Sequence, residues 1–188
     1  MSKAVFLDRD GTLCADKVYL SDPQGLEPLP GVFPALESLQ RGGFRLVVVT
    51  NQSGVARGLI PPGSLEAVHR ELHRIFGERG VRFEAIYVCP HLPGGAVAEY
   101  SIGCDCRKPS PGLLLQAAED LGIDLRRSFM VGDQGHDVEA GKRAGCRTVR
   151  LDLSGSGKGE ATGAPPAPDF EAASWESAAR WILSQEDE

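Results

Sequence analysis

The tightest constraint on this chain is a series of short, continuous apolar runs. Ala4–Leu7, Arg45–Val49, Ala85–Val88, Ser128–Val131 and Arg147–Leu151 are rich in Val, Ile, Leu and Phe, with little polar alternation. Strands of this kind are covered on both faces, as in a parallel sheet flanked by helices. The intervening segments supply the helices. After Gly31, Val32, Leu36 and Leu39 recur at helical spacing until Gly42-Gly43 stops the pattern. Ser64 is placed to cap a helix carrying Leu65, Val68, Leu72 and Ile75. Ser110 and Pro111 are placed to open another, with Leu114, Ala117, Ala118 and Leu121 on one face. A fourth helix is expected from His136 to Ala144, stopped by Gly145, and a last over Trp175–Leu183. Strand–helix alternation predicts an α/β fold with a mostly parallel sheet. A length of 188 residues suits one domain over 1–188, and the Gly/Pro-rich stretch 154–168 reads as a flexible loop.

Charge narrows the partners. Twenty Lys and Arg against 26 Asp and Glu give a net charge of −6, which argues against a nucleic-acid or anionic-membrane binder. A small anionic ligand is compatible, since a few local cations and a metal suffice for it. The longest apolar run, Ala85–Cys89, falls far short of the roughly 18 residues of a membrane span. Residues 1–20 hold Asp8, Asp10 and Asp16 and lack the apolar core of a signal peptide. A cytoplasmic protein is expected.

Four strand ends carry groups with chemistry. The first runs into Asp8-Arg9-Asp10-Gly11-Thr12, two carboxylates at i and i+2 entering a glycine turn. They can face one site at the C-terminal edge of the sheet, where open α/β sheets bind ligands, although alone they read equally as a polar turn. The second ends in Thr50-Asn51-Gln52-Ser53-Gly54, whose hydroxyl, amide and N–H groups suit phosphate oxygens. Arg107-Lys108-Pro109 sets two cations before a helix start, itself an anion site. The fourth strand enters Gly132-Asp133-Gln134-Gly135-His136-Asp137, more carboxylates, which suit Mg²⁺.

Three of the five cysteines lie close together, in Cys89-Pro90-His91 and Cys104-Asp105-Cys106. Cys₃His is a structural zinc set, with unpaired thiols or a redox pair as the alternatives. Cys14 and Cys146 read as plain thiols. His69 and His73, four apart with no third ligand evident, read as helix-surface residues, and His136 as a polar residue at the site's edge.

Taken in order, Asp8–Thr12, Thr50, Lys108 and Asp133–Asp137 resemble the signature of the haloacid dehalogenase-like phosphatase superfamily over residues 4 to 151. The resemblance implies a three-layer Rossmann-like fold in which Asp8 is the nucleophile and Asp10 the general acid/base. It also implies that Thr50 and Lys108 hold the phosphoryl group, and that Mg²⁺ sits on Asp8, the Asp10 carbonyl and Asp133. The zinc loop 89–107 and the segments Val49–Gly58 and Cys104–Pro109 look like the bacterial D-glycero-D-manno-heptose 1,7-bisphosphate 7-phosphatases. That likeness implies a sugar-phosphate substrate met by Asp16, Tyr19, Asn51, Gln52, Ser53, Arg57 and Arg107 and a role in cell-envelope sugar synthesis; a monomer is expected. Asp16-Lys17-Val18-Tyr19 keeps the Tyr of that group's Asp-x-Gly-Tyr but has Val in place of Gly. Histidinol-phosphate phosphatases carry a related loop and are the rival enzyme; a catalytically silent zinc-bearing module is the rival of another class. No segment between the motifs is long enough for a separate cap domain.

Overall fold

The computed structural model describes residues 1–153 and 166–185. Six strands, β1 (Ala4–Leu7), β2 (Arg45–Asn51), β3 (Phe83–Cys89), β4 (Phe129–Gly132), β5 (Arg147–Leu151) and β6 (Phe170–Ala172), form one sheet in the order β3-β2-β1-β4-β5-β6. Every pairing is parallel. The helices are α1 (Val32–Arg41), α2 (Pro62–Gly77), α3 (Gly112–Leu121), α4 (Gly135–Ala144) and α5 (Trp175–Ser184).

The two-residue period of the strands sorts their side chains into two cores. Val5, Leu7, Leu46, Val48, Val131 and Val149 pack under α1, α2 and α5, with Leu36, Leu72, Phe76, Trp175 and Ile182 among their neighbours. Ala4, Phe6, Val47, Val49 and Met130 face the other way, against Leu113, Leu114, Ala117, Ala140 and Ala144 of α3 and α4. The result is three layers, the expected α/β arrangement. From β1 the chain builds outward to β2 and β3, then returns to lay β4 on the other side of β1. Ligands of open sheets bind at such a reversal, outside the carboxyl ends of the strands.

Two helix starts differ from expectation. α2 begins at Pro62, capped by Pro61, so Ser64 lies inside the first turn. Pro62 at the first helical position has no N–H of its own, and the Pro61 carbonyl takes the Ser64 N–H at 3.0 Å and the Leu65 N–H at 3.2 Å, so this end forms without a serine cap. α3 begins at Gly112 with Pro111 at the cap and no side-chain capping bond. Its start is set by the Cys104–Cys106 turn instead: Gly112 N–H donates to the Asp105 carbonyl at 2.9 Å, and a Cβ at 112 would stand 2.3 Å from that oxygen. A third difference is β6, three residues that add a sixth strand beyond Asp169. The loop expected at 154–168 lies outside the described residues up to 165, and 166–168 carry no regular structure.

Candidate active site

The carboxyl ends of β1, β2 and β4 converge on a pocket of about 390 Å³. Asp8, Asp10, Asp16, Tyr19, Thr50, Asn51, Gln52, Ser53 and Arg107 line it, together with Val18, Gly54, Gln134 and His136.

At its floor stands a buried ion cluster. Lys108 is 2% exposed, and its Nζ donates to Asp8 Oδ1 at 2.8 Å and to the Val49 carbonyl at 2.8 Å. It also pairs with Asp137 Oδ1 at 2.7 Å, and Asp137 is wholly buried. The second Asp137 oxygen accepts from the Gln134 N–H at 3.1 Å, closing the capping box that starts α4. A buried cation between two carboxylates is stable only while all three remain together. Burial pushes the Asp8 carboxyl up to about 7, partly opposed by Lys108 and aided by Asp137. Burial alone would depress Lys108, but Asp137 and Asp8 outweigh it and hold the ammonium charged.

Asp133, on the turn after β4, accepts from Thr12 Oγ1 at 3.5 Å and from the Gln134 side chain. Gly11 is what allows Asp133 so close to the β1 turn. Its φ is +79°, and a Cβ there would lie 2.5–2.8 Å from the Asp133 carboxylate. Asp8, Asp133 and Asp137 each offer an oxygen within 4.8 Å of the others and could hold a metal. Asp137 has no solvent exposure, whereas Asp8 lines the pocket and Asp133 is half-buried, so Asp8 and Asp133 are the better fitted ligands.

Asp10 has different surroundings. Arg9 grips it with a two-pronged fork, Nε to Oδ1 at 2.9 Å and Nη2 to Oδ2 at 2.8 Å. Gln52 Nε2 donates to the same Oδ2 at 2.8 Å and to Thr50 Oγ1 at 2.9 Å. The Asp10 carboxylate is not part of the Asp8–Asp133–Asp137 group.

The Cys/His loop supports this site from one side. Cys89 closes β3, and its Sγ lies 3.6 Å from Cys104 Sγ and 3.9 Å from His91 Nδ1. Cys106 Sγ is 3.3 Å from His91 Nδ1 and 3.2 Å from Cys104 Sγ. These four could hold a metal ion. The next residue, Arg107, donates from Nη1 to the His91 carbonyl at 3.2 Å. Asn51 then clamps the Lys108 backbone from both sides, Nδ2 to its carbonyl at 3.0 Å and Oδ1 from its N–H at 3.1 Å.

Of the residues expected to meet the substrate, Arg57 is absent from the pocket lining, as are Lys108 and Asp133 among those expected for catalysis and Mg²⁺. Arg57 lies over the Tyr19 ring at 5.9 Å and lines a separate groove with Tyr19, Leu59 and Gly94–Ala96. Tyr19 holds φ at +62°, an uncommon conformation for a residue with a side chain. Its ring lies so close to Gly54 that a Cβ there would be 2.9 Å from Tyr19 Cδ1. Three residues carry more than their sequence signal suggested. Arg9 is wholly buried, Asp137 completes the Lys108 pair, and His69 is half-buried against Arg9 rather than on the helix surface. Cys14 and Cys146 are buried thiols, both pushed up to about 12 by burial.

A nucleophile candidate with a buried lysine, a second carboxylate, a hydroxyl strand end and a carboxylate pair fitted to a hard cation define a phosphoryl-transfer site. An HAD-hydrolase-like family model matches residues 105–177. Two curated relatives are 41% identical over 181 residues, 96% of this chain: one from Yersinia pestis, 89% covered, and one from Escherichia coli strain K12, 88% covered. The chain belongs to the haloacid dehalogenase-like hydrolases. Within that family it is similar to proteins of one name, since both relatives are D-glycero-beta-D-manno-heptose-1,7-bisphosphate 7-phosphatases. A crystal structure of D,D-heptose 1,7-bisphosphate phosphatase from B. bronchiseptica, complexed with magnesium and phosphate, superposes with a TM-score of 0.83. It is 33% identical, covering 98% of this chain and 99% of that one.

Proposed function

We propose that this chain is a Mg²⁺-dependent phosphatase that removes the 7-phosphate of a D-glycero-D-manno-heptose 1,7-bisphosphate in cell-envelope sugar synthesis. It would act as a cytoplasmic monomer of one domain; among the described residues no helix is long and apolar enough to cross a membrane. The observation that carries the reading is the Asp8–Lys108–Asp137 cluster beneath a polar pocket at the sheet's topological reversal.

An Asp8 oxygen attacks the phosphorus, the bond from phosphorus to O7 breaks, and Asp10 gives its proton to O7. Water then attacks the phosphorus of the aspartyl phosphate and yields a proton to Asp10, the bond from phosphorus to the Asp8 oxygen breaks, and inorganic phosphate leaves with the Asp8 carboxylate restored. Thr50 and Lys108 hold the phosphoryl oxygens. Asp8, Asp133 and the Asp10 carbonyl would hold Mg²⁺, which neutralises charge on the transferring group. Arg107, at the pocket wall, meets the phosphate left on the sugar. Its guanidinium suits that dianion and would repel the ammonium of a histidinol ester.

The second metal is Zn²⁺ on Cys89, His91, Cys104 and Cys106, in a structural role. Three thiols and an imidazole suit zinc by their chemistry, and four of their mutual separations, 3.2–3.9 Å, are short enough for one ion to be shared by all four residues. The test of function is a comparison of kcat/KM on α- and β-heptose 1,7-bisphosphate, histidinol phosphate and simple sugar phosphates. A heptose bisphosphate should lead by about 100-fold. A lead for histidinol phosphate would reassign the substrate, and no turnover of any ester would leave a binding module.

A further inference from the structure

Arg9 is the largest charged side chain with no solvent exposure, and the phosphoryl-transfer steps do not use it. Its donors are distributed over three elements. Nε and Nη2 hold the two Asp10 oxygens, Nη2 also donates to Gln52 Oε1 at 3.0 Å, and Nη1 lies 3.2 Å from His69 Nε2 on α2. A guanidinium has only donors, so His69 Nε2 accepts and its Nδ1 carries the ring proton. Burial, and then the Arg9 charge, pushes His69 down to about 4, which keeps it in that neutral accepting form.

Backbone bonds hold the turn around Asp10, with the Gly11 N–H on the Cys14 carbonyl at 2.8 Å and the Cys14 N–H on the Arg9 carbonyl at 3.0 Å, but they leave the Asp10 carboxylate to be oriented by side chains. We propose that Arg9, backed by His69, is the positioning residue for Asp10. The fork fixes the plane of the carboxylate. Oδ2 takes two donors, from Arg9 and Gln52, whereas Oδ1 takes one. A carboxylate oxygen has room for about two donors, so Oδ1 keeps a position for the substrate or water proton. The Asp10 side chain is 24% exposed and lines the pocket, while the Arg9 behind it is sealed in. His69 fixes the far end of the guanidinium to α2, whose Val68, Leu72 and Phe76 are buried in the core. The clamp thus transmits the position of a packed helix to a carboxylate on a loop.

The inference rests on Asp10 being the acid that protonates the leaving group, and the test separates the two claims. kcat/KM is measured for an unactivated primary alkyl phosphate, whose alkoxide needs a proton, and for p-nitrophenyl phosphate, whose phenolate does not. Asp10→Asn is the reference and should lose far more on the alkyl ester. Arg9→Lys keeps the charge without the fork, and should lower the alkyl value by about 10- to 100-fold while the aryl value holds within about 3-fold. His69→Leu is the milder variant, with an expected alkyl loss of about 5-fold that His69→Gln, which retains an acceptor, restores. Equal losses on both esters would make the clamp merely structural and overturn the inference, as would unchanged alkyl rates in all Arg9 and His69 variants beside a selective loss in Asp10→Asn. A non-selective Asp10→Asn would remove the acid role itself, and this inference with it.

Discussion

Replacing Lys108 with Met should unbalance the floor of the site in a way that depends on pH. The ammonium lies 2.8 Å from Asp8 and 2.7 Å from Asp137, with almost no solvent contact. Removing one partner of a buried ion pair costs about 3–5 kcal/mol, because the remaining charge is left without compensation. At roughly 2–4 °C per kcal/mol for a chain of this size, the melting temperature should fall by about 6–20 °C. The pH dependence follows from Asp8. Its native carboxyl titrates near 7, above the unfolded value of 3.8, so in the wild type this group's contribution declines as pH rises between those values and is level above 7. Without Lys108, burial and Asp137 push Asp8 higher still. Above pH 7 the variant's native state keeps a proton that its unfolded chain has lost, so its deficit grows by about 1.4 kcal/mol per pH unit until Asp8 ionises. Urea unfolding of both proteins at pH 6, 7, 8 and 9 in Mg²⁺-free buffer measures this directly. A deficit below about 1 kcal/mol, or one equal at every pH, would refute the reasoning.

Three further outcomes are expected. Arg107→Ala should lower kcat/KM for the heptose bisphosphate by about 10-fold or more and leave a small monophosphate ester nearly unchanged, since only the bisphosphate has a distal anion for the guanidinium; parallel steady-state assays decide. Mg²⁺ affinity should rise by up to about tenfold per pH unit below 7 and level off above, with uptake of the ion releasing a proton from Asp8, which titration calorimetry in buffers of different ionisation enthalpy would detect. Elemental analysis of protein purified without chelators should find about one zinc per chain, and Cys104→Ala should lose it together with several kcal/mol of stability, read by urea unfolding.

Much of the fold was legible because its signals are local. Ala4–Leu7 and Arg147–Leu151 are strands bounded as their apolar runs are, and α1 ends where Gly42 follows Arg41. The Cys89, His91, Cys104 and Cys106 grouping needed only spacing and composition, and it meets in space. The features that escaped depend on contacts distant in sequence. Ser110 looks like a helix cap, yet the start of α3 is dictated by the Asp105 carbonyl across the cysteine turn. Nothing in the Asp8–Thr12 run singles out Arg9, and its burial involves a contact with His69 on α2, 60 residues away in the chain. Asp137 reads as one of the carboxylates suited to Mg²⁺, and its pairing with Lys108, 29 residues away in the chain, shows only in the fold. Arg57 follows the site's second strand closely in sequence, yet it lies over the Tyr19 ring and lines the neighbouring groove.

The most direct measurement is a ³¹P NMR time course of heptose 1,7-bisphosphate with the protein and Mg²⁺. The C7 ester resonance should disappear with the appearance of one equivalent of inorganic phosphate, the anomeric phosphate should persist, and Asp8→Asn should leave the spectrum unchanged. Loss of the anomeric phosphate first, equal loss of both esters, or undiminished turnover by Asp8→Asn would contradict the assignment of a 7-phosphatase acting through Asp8.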